Sequence, residues 1–150
     1  MSDPVSALLA SAPYARFLGL GAKLEDGELT VVMPFADHLI GNPMLPALHG
    51  GTTAAMMELT ATAQVALRFP RPHAPRPINV SVAYLRSGRP VDTFARARIN
   101  RAGARTANVH VEAWQDDPQA PIAMLTAHFL LSSPDGVSPS RHKGTRDQGK

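Results

Sequence analysis

The 150-residue sequence contains no cysteine. That excludes a disulfide framework, a thiolate metal site and a cysteine nucleophile together, and it fits a reducing cytosol. Aromatic residues make up only 5%. This is thin provision for a protein that stacks bases, so no nucleic-acid partner is expected. No stretch reaches the ~18 apolar residues of a membrane span. The longest apolar and small run, Thr52 to Leu67, is broken by Glu58, Gln64 and four threonines. The N-terminal MSDPVSALLA has an acid at Asp3 and no basic segment, which argues against a secretory signal. A cytoplasmic protein without a membrane partner is therefore expected. There is no P-loop, no GxGxxG and no G-x-S-x-G elbow. No two histidines stand at i, i+4, so no metal site is expected.

What is present is ordinary in amount and uneven in placement. The chain is 44% hydrophobic and 18% charged, enough for one domain with a real core. Residues 132–150 hold a single hydrophobic residue, Val137, among Ser, Gly, Pro and charge. Such a segment cannot offset its ordering entropy, so a disordered C-terminal tail is expected after a single domain over 1–131. The net charge of +3 is the balance of three unlike segments. Residues 1–67 carry two cations against six carboxylates, residues 68–105 nine arginines against Asp92, and residues 106–150 four cations against five carboxylates. The basic middle reads either as a binding surface for an anion or as a solvated strand face rich in arginine.

The pattern predicts few elements. Val5 to Phe17 forms an N-terminal helical segment (within residues 1–18) broken in or after by Pro13. Ala22–Glu25 and Glu28–Pro34 flank Asp26–Gly27, a hairpin signal. Ala36 to Leu48 is expected to be a loop. Gly51 to about Phe69 is rich in Ala, Met and Leu and reads as one long helix. Four prolines between residues 70 and 77 make a stiff connector. Strands are expected at Ile78–Tyr84, Phe94–Asn100, Thr106–Ala113 and Ile122–Leu131, the last nearly continuously apolar and hence central. The connections are too short for crossover helices, so the sheet is antiparallel. The long helix is apolar or small almost all round and belongs in the core. The expected architecture is an α+β fold of about six antiparallel strands wrapped around one central helix.

Between His49 and Arg68 the only ionisable side chain is Glu58. A lone carboxylate there either reaches a cleft as an acid or base or lies on an exposed strip with Thr62 and Gln64. His49-Gly50-Gly51 opens the helix, where unpaired N–H groups and the dipole suit an oxyanion. Met44, Leu45, Met56 and Met57 read either as an adaptable apolar pocket or as core.

The run Asn42-Pro-Met-Leu-Pro-Ala-Leu-His49-Gly50-Gly51, followed by Glu58 and Thr62, resembles the hotdog-fold acyl-CoA thioesterases of the phenylacetate-degradation type. The resemblance spans roughly residues 13–131. It implies the hotdog fold, thioester hydrolysis, Glu58 as general base or nucleophile, and Gly50 N–H as oxyanion donor. It also implies supporting roles for Asn42, His49 and Thr62. A glutamate at this position looks like the branch that acts on aromatic acyl groups. Two departures concern the loop: Pro46 stands where a glycine is commoner, and Asn42 lies one residue further from His49 than in many members. Coenzyme A would enter as part of the substrate, with no separate cofactor. Gly51 at the helix start, and Arg101, Gly103 and Arg105 on a strand turn, are candidate contacts for it, with Arg86 and Arg89 at another turn.

Gly50 and Glu58 are eight residues apart, ~12 Å along one helix. A base and an oxyanion donor must both lie ~3 Å from one reacting centre. The two must therefore come from different protomers, which predicts a homodimer, or a dimer of dimers, with sites across the interface. The rival functions are a non-catalytic acyl-CoA or lipid-binding hotdog protein and a hotdog hydratase or dehydratase.

Overall fold

The structure, a computed structural model, describes residues 3–131. The expected tail, 132–150, lies outside the described residues. Two short helices come first, α1 (Pro4–Ser11) and α2 (Pro13–Leu18). The expected single segment is split because Pro13 suits the first position of a new helix and not the interior of an old one. Asp3 caps α1 and Gly19, at φ 70°, closes α2.

Strands β1 (Gly21–Glu25) and β2 (Glu28–Met33) form the expected hairpin. Asp26 and Gly27 both have positive φ, at 50° and 81°, as a two-residue turn of this hand requires. The stretch read as a loop contains a two-stranded ribbon, β3 (Ile40–Asn42) and β4 (Ala47–Leu48). It has no alternating pattern to announce it. Gly41 permits it, since a Cβ there would stand 2.7 Å from His49 Cα.

Helix α3 runs over Gly50–Arg68. Strands β5 (Arg76–Tyr84), β6 (Thr93–Ala102), β7 (Thr106–Trp114) and β8 (Ala123–Leu130) follow. The six long strands form one antiparallel sheet in the order β1-β2-β6-β7-β8-β5. The proline connector ends sooner than expected: Pro77 already belongs to β5, at an irregularity in register of an edge strand, where its missing N–H is tolerated. Strand β8 is paired on both sides but lies beside that edge, not at the centre. Its outward residues Thr126, His128 and Leu130 are exposed, so its apolar run does not reflect burial on both faces.

α3 lies on the inner face of the sheet. Met56, Met57, Ala61 and Val65 meet Val31, Met33, Ala95, Val109, Val111, Leu125 and Phe129 in one core, with Val5, Leu9 and Leu18 of the N-terminal helices. Each large side chain removed from water contributes about 1.5–3 kcal/mol. Every α3 residue from Thr52 to Leu67 is buried or half-buried. The outer face is polar. Arg96 pairs with Glu28 at 3.2 Å, donates to Thr30 and lies over the Trp114 ring. At Arg96 the basic segment forms part of a solvated strand face.

Candidate active site

The candidate site is built at the start of α3. His49 is the cap residue, and its Nδ1 accepts Gly51 N–H at 2.9 Å. The His49 carbonyl accepts Thr52 N–H at 3.0 Å and the Thr52 hydroxyl at 2.6 Å. A neutral His49 therefore carries its proton on Nε2. Gly51 N–H is engaged inside the turn, whereas Gly50 N–H finds no acceptor among the described residues. Of the two glycines, Gly50 is the one with a donor to offer.

Gly50 lines a cavity of about 370 Å³ with Ala47, Leu48, Thr53, Tyr84 and Arg86. Ser87 and Gly88 complete its rim. Gly88 lies against Leu48, whose N–H donates to the Gly88 carbonyl at 2.9 Å. Two segments remote in sequence are thus tied together beside the helix start. The turn at Arg86 is legible in sequence, but its closeness to the helix start is not, and Tyr84 gives no local signal. Tyr84 reads in sequence only as the last inward residue of an alternating strand, and its reach back over 34 residues to Gly50 is set by tertiary packing.

Glu58 lies two turns further along α3, half-buried, and no cation among the described residues forms an ion pair with it. Thr62 does not touch its carboxylate: the Thr62 hydroxyl donates to the Glu58 backbone carbonyl at 2.9 Å. Gln64 is half-buried as well, so the strip through Glu58, Thr62 and Gln64 is half-covered, not open. Asn42 is exposed on the ribbon, and its Oδ1 accepts Met44 N–H at 3.0 Å, leaving the amide nitrogen for a ligand. The methionines divide: Met56 and Met57 are core, while Met44 and Leu45 are 91% and 67% exposed at the ribbon tip.

Arg101, Gly103 and Arg105 occupy the exposed β6–β7 turn. That turn sits level with Leu130, whereas Tyr84 and Gly50 sit level with Ala123. Seven residues of β8 separate the two levels, roughly 24 Å. Within one chain these arginines are not brought to Gly50; Arg86 is the cation that lines its cavity. Arg89 is held by Asp116. Among the described residues no group of three His, Asp or Glu is placed to hold a metal, and no helix is long and apolar enough to cross a membrane.

The arrangement offers a polarised N–H at a helix start and, about two turns away, a carboxylate. The chain matches the family model described as acyl-CoA thioesterase N-terminal domain over residues 41–130. A solved Chromobacterium violaceum protein is 36% identical, covering 85% of this chain and 89% of its own, with a TM-score of 0.70. A phenylacetic acid degradation-related protein of Ralstonia eutropha is 25% identical, covering 86% and 100%, with a TM-score of 0.72. A Bacillus halodurans protein solved with CoA is 21% identical, covering 89% and 97%, with a TM-score of 0.73. No curated protein matches the sequence.

Proposed function

The chain belongs to the acyl-CoA thioesterase N-terminal domain family, and on that premise we propose that it hydrolyses acyl-CoA to free coenzyme A and a carboxylic acid. The observation that carries the reading is the free Gly50 N–H on a cavity wall, with the lone helix carboxylate, Glu58, eight residues along. The thioester carbonyl oxygen sits at Gly50 N–H, where the α3 dipole favours developing negative charge. Glu58 takes a proton from water as the water oxygen bonds to the carbonyl carbon; the C–S bond then breaks and the thiolate is protonated. In the alternative route the Glu58 carboxylate itself attacks, expels the thiolate and leaves a mixed anhydride that water cleaves. Asn42 Nδ2 and His49 Nε2–H orient the thioester or the water, and Thr62 fixes the helix turn that carries Glu58.

Both routes need Glu58 and Gly50 at one carbon, and ~12 Å of helix separates them. The site is therefore shared: Gly50 from one protomer, Glu58 from the other. The joint is the β5 edge, where Ile78 and Tyr84 are 57% and 56% exposed. The phosphates of coenzyme A meet Arg86 near the cavity. Arg101 and Arg105, beside Gly103, serve the nucleotide of a site that the second chain completes. The CoA present in the Bacillus halodurans structure is in keeping with this ligand class.

The test is thiol release from phenylacetyl-, acetyl-, hexanoyl- and palmitoyl-CoA. Glu58→Gln is expected to stay a folded dimer and lose ~10²-fold or more in kcat. Gly50→Pro removes the donor N–H at a helix position whose backbone proline suits, though its ring also presses on Tyr84, and should lose ~10²-fold or more. Mixing the two inactive chains should restore about a quarter of wild-type activity, because half the dimers regain one intact site. No restoration would place both residues in one chain's site. Tight binding without turnover would make the protein a carrier, and double-bond hydration in place of thiol release a hydratase.

A further inference from the structure

Two successive glycines leave the start of α3 without side chains to fix its backbone. Hydrogen bonds within the turn do part of this work, through His49 Nδ1 and the His49 carbonyl. One tie comes from outside. The Tyr84 hydroxyl donates to the Gly50 carbonyl oxygen at 2.8 Å. The ring also lies against the glycine itself: a Cβ built on Gly50 would stand 3.1 Å from Tyr84 Cε1 and 3.2 Å from Cζ and the hydroxyl oxygen. A single side chain from the edge strand therefore grips Gly50 by its carbonyl and closes off the space beside its Cα.

We propose that Tyr84 is a positioning residue for the reaction: it acts through Gly50, a residue of the cavity lining, holding it so that its free N–H keeps one direction. The inference rests on the thioesterase reading given above. The Gly50 carbonyl shares a peptide plane with Gly51 N–H, and the Gly50 N–H shares one with the His49 carbonyl, which Thr52 holds. With Tyr84 fixing the first plane and Thr52 the second, the Gly50 N–H between them has little room to swing. An oxyanion donor contributes only when it is already aimed before charge develops. Loss of aim is felt in the transition state more than in substrate binding, so it falls on kcat and kcat/KM alike. The contact is close: a Cβ on residue 50 would press on the ring and require it to shift by a few tenths of an ångström.

The variant is Tyr84→Phe in the full chain, which removes one oxygen and keeps the ring. For the fastest of the four acyl-CoAs, kcat should fall about 10-fold with KM within about 2-fold. Melting temperature and oligomeric state should be unchanged. In the protein labelled with ¹⁵N-glycine, the Gly51 amide should exchange its hydrogen about 10-fold faster than in wild type, because the turn it closes has lost its outside tie. Unchanged kcat with unchanged Gly51 exchange overturns the proposal. So does a fall in activity that only tracks loss of folded protein. A kcat loss without faster Gly51 exchange also overturns it, since the phenol would then act on substrate directly. The exchange measurement needs no turnover: a wild-type protein that hydrolyses none of the four substrates refutes the thioesterase reading, and Gly51 exchange still decides whether Tyr84 holds the turn.

Discussion

At one edge of the sheet β1 runs for five residues, carries Lys23 and Glu25 in an ion pair of 2.7 Å and packs against α1. At the other edge β5 runs for nine residues, carries no charge after Arg76 and leaves Ile78, Val80 and Tyr84 exposed. A free edge is a row of unpaired peptide groups, and soluble proteins blunt it with short strands, charge or a covering helix. β1 has all three devices; β5 has only the charge of Arg76 at its first position, followed by a proline and an irregularity in register. The sheet is thus protected along one edge and left with exposed apolar side chains along the other. The side left open is the one that carries Tyr84 and, through it, Gly50.

The largest effect should come from giving β5 the chemistry of β1. On the proposed shared site, Ile78→Lys combined with Val80→Lys should yield a monomer by sedimentation, with thiol release reduced by ~10²-fold or more. A double variant that stays dimeric and active would remove β5 as the joint. The reverse exchange, Lys23→Val with Glu25→Val, should give a second adhesive edge. Light scattering should then report concentration-dependent higher assemblies, while turnover per chain stays within about 2-fold of wild type. A strictly dimeric product would mean that α1, not charge, protects β1. The smallest effect belongs to Lys23→Ala alone. Its partner carboxylate is exposed, and chemical denaturation should register a change within about 0.5 kcal/mol. A loss several times larger would show that the pair holds the hairpin and does more than guard an edge.

Much of the fold was legible where local chemistry and tertiary packing agree. Asp26–Gly27 announces its hairpin because few other residues accept positive φ twice in succession. The run of Ala, Met and Leu from residue 54 onwards announces a buried helix because it holds a single carboxylate, Glu58, before Arg68. The misses lie where long-range contacts override a weak local pattern. The β3–β4 ribbon is too short to alternate and depends on Gly41 passing close to His49. The placement of β8 beside an edge follows from its pairing with β5, a strand nearly forty positions earlier, which no periodicity within β8 encodes. In the site, the Gly50–Glu58 spacing could be read directly because one helix fixes it. The distance from Gly50 to Arg101 and Arg105 could not, because it depends on which end of a sheet each turn reaches.

Strand order also sets a timetable for biosynthesis. β5 emerges from the ribosome before β6, β7 and β8, yet its neighbour in the sheet is β8 alone. A nascent chain must therefore keep β5 unseated until the β6–β7–β8 meander has been made, a delay that long-range pairing imposes on any such topology. During that interval Tyr84 has no strand from which to reach Gly50. A chain truncated before Ala123 would hold every residue of the helix turn and still lack the tie that reaches it from outside. The last strand of the described residues is thus the one that seats the tie to the helix turn.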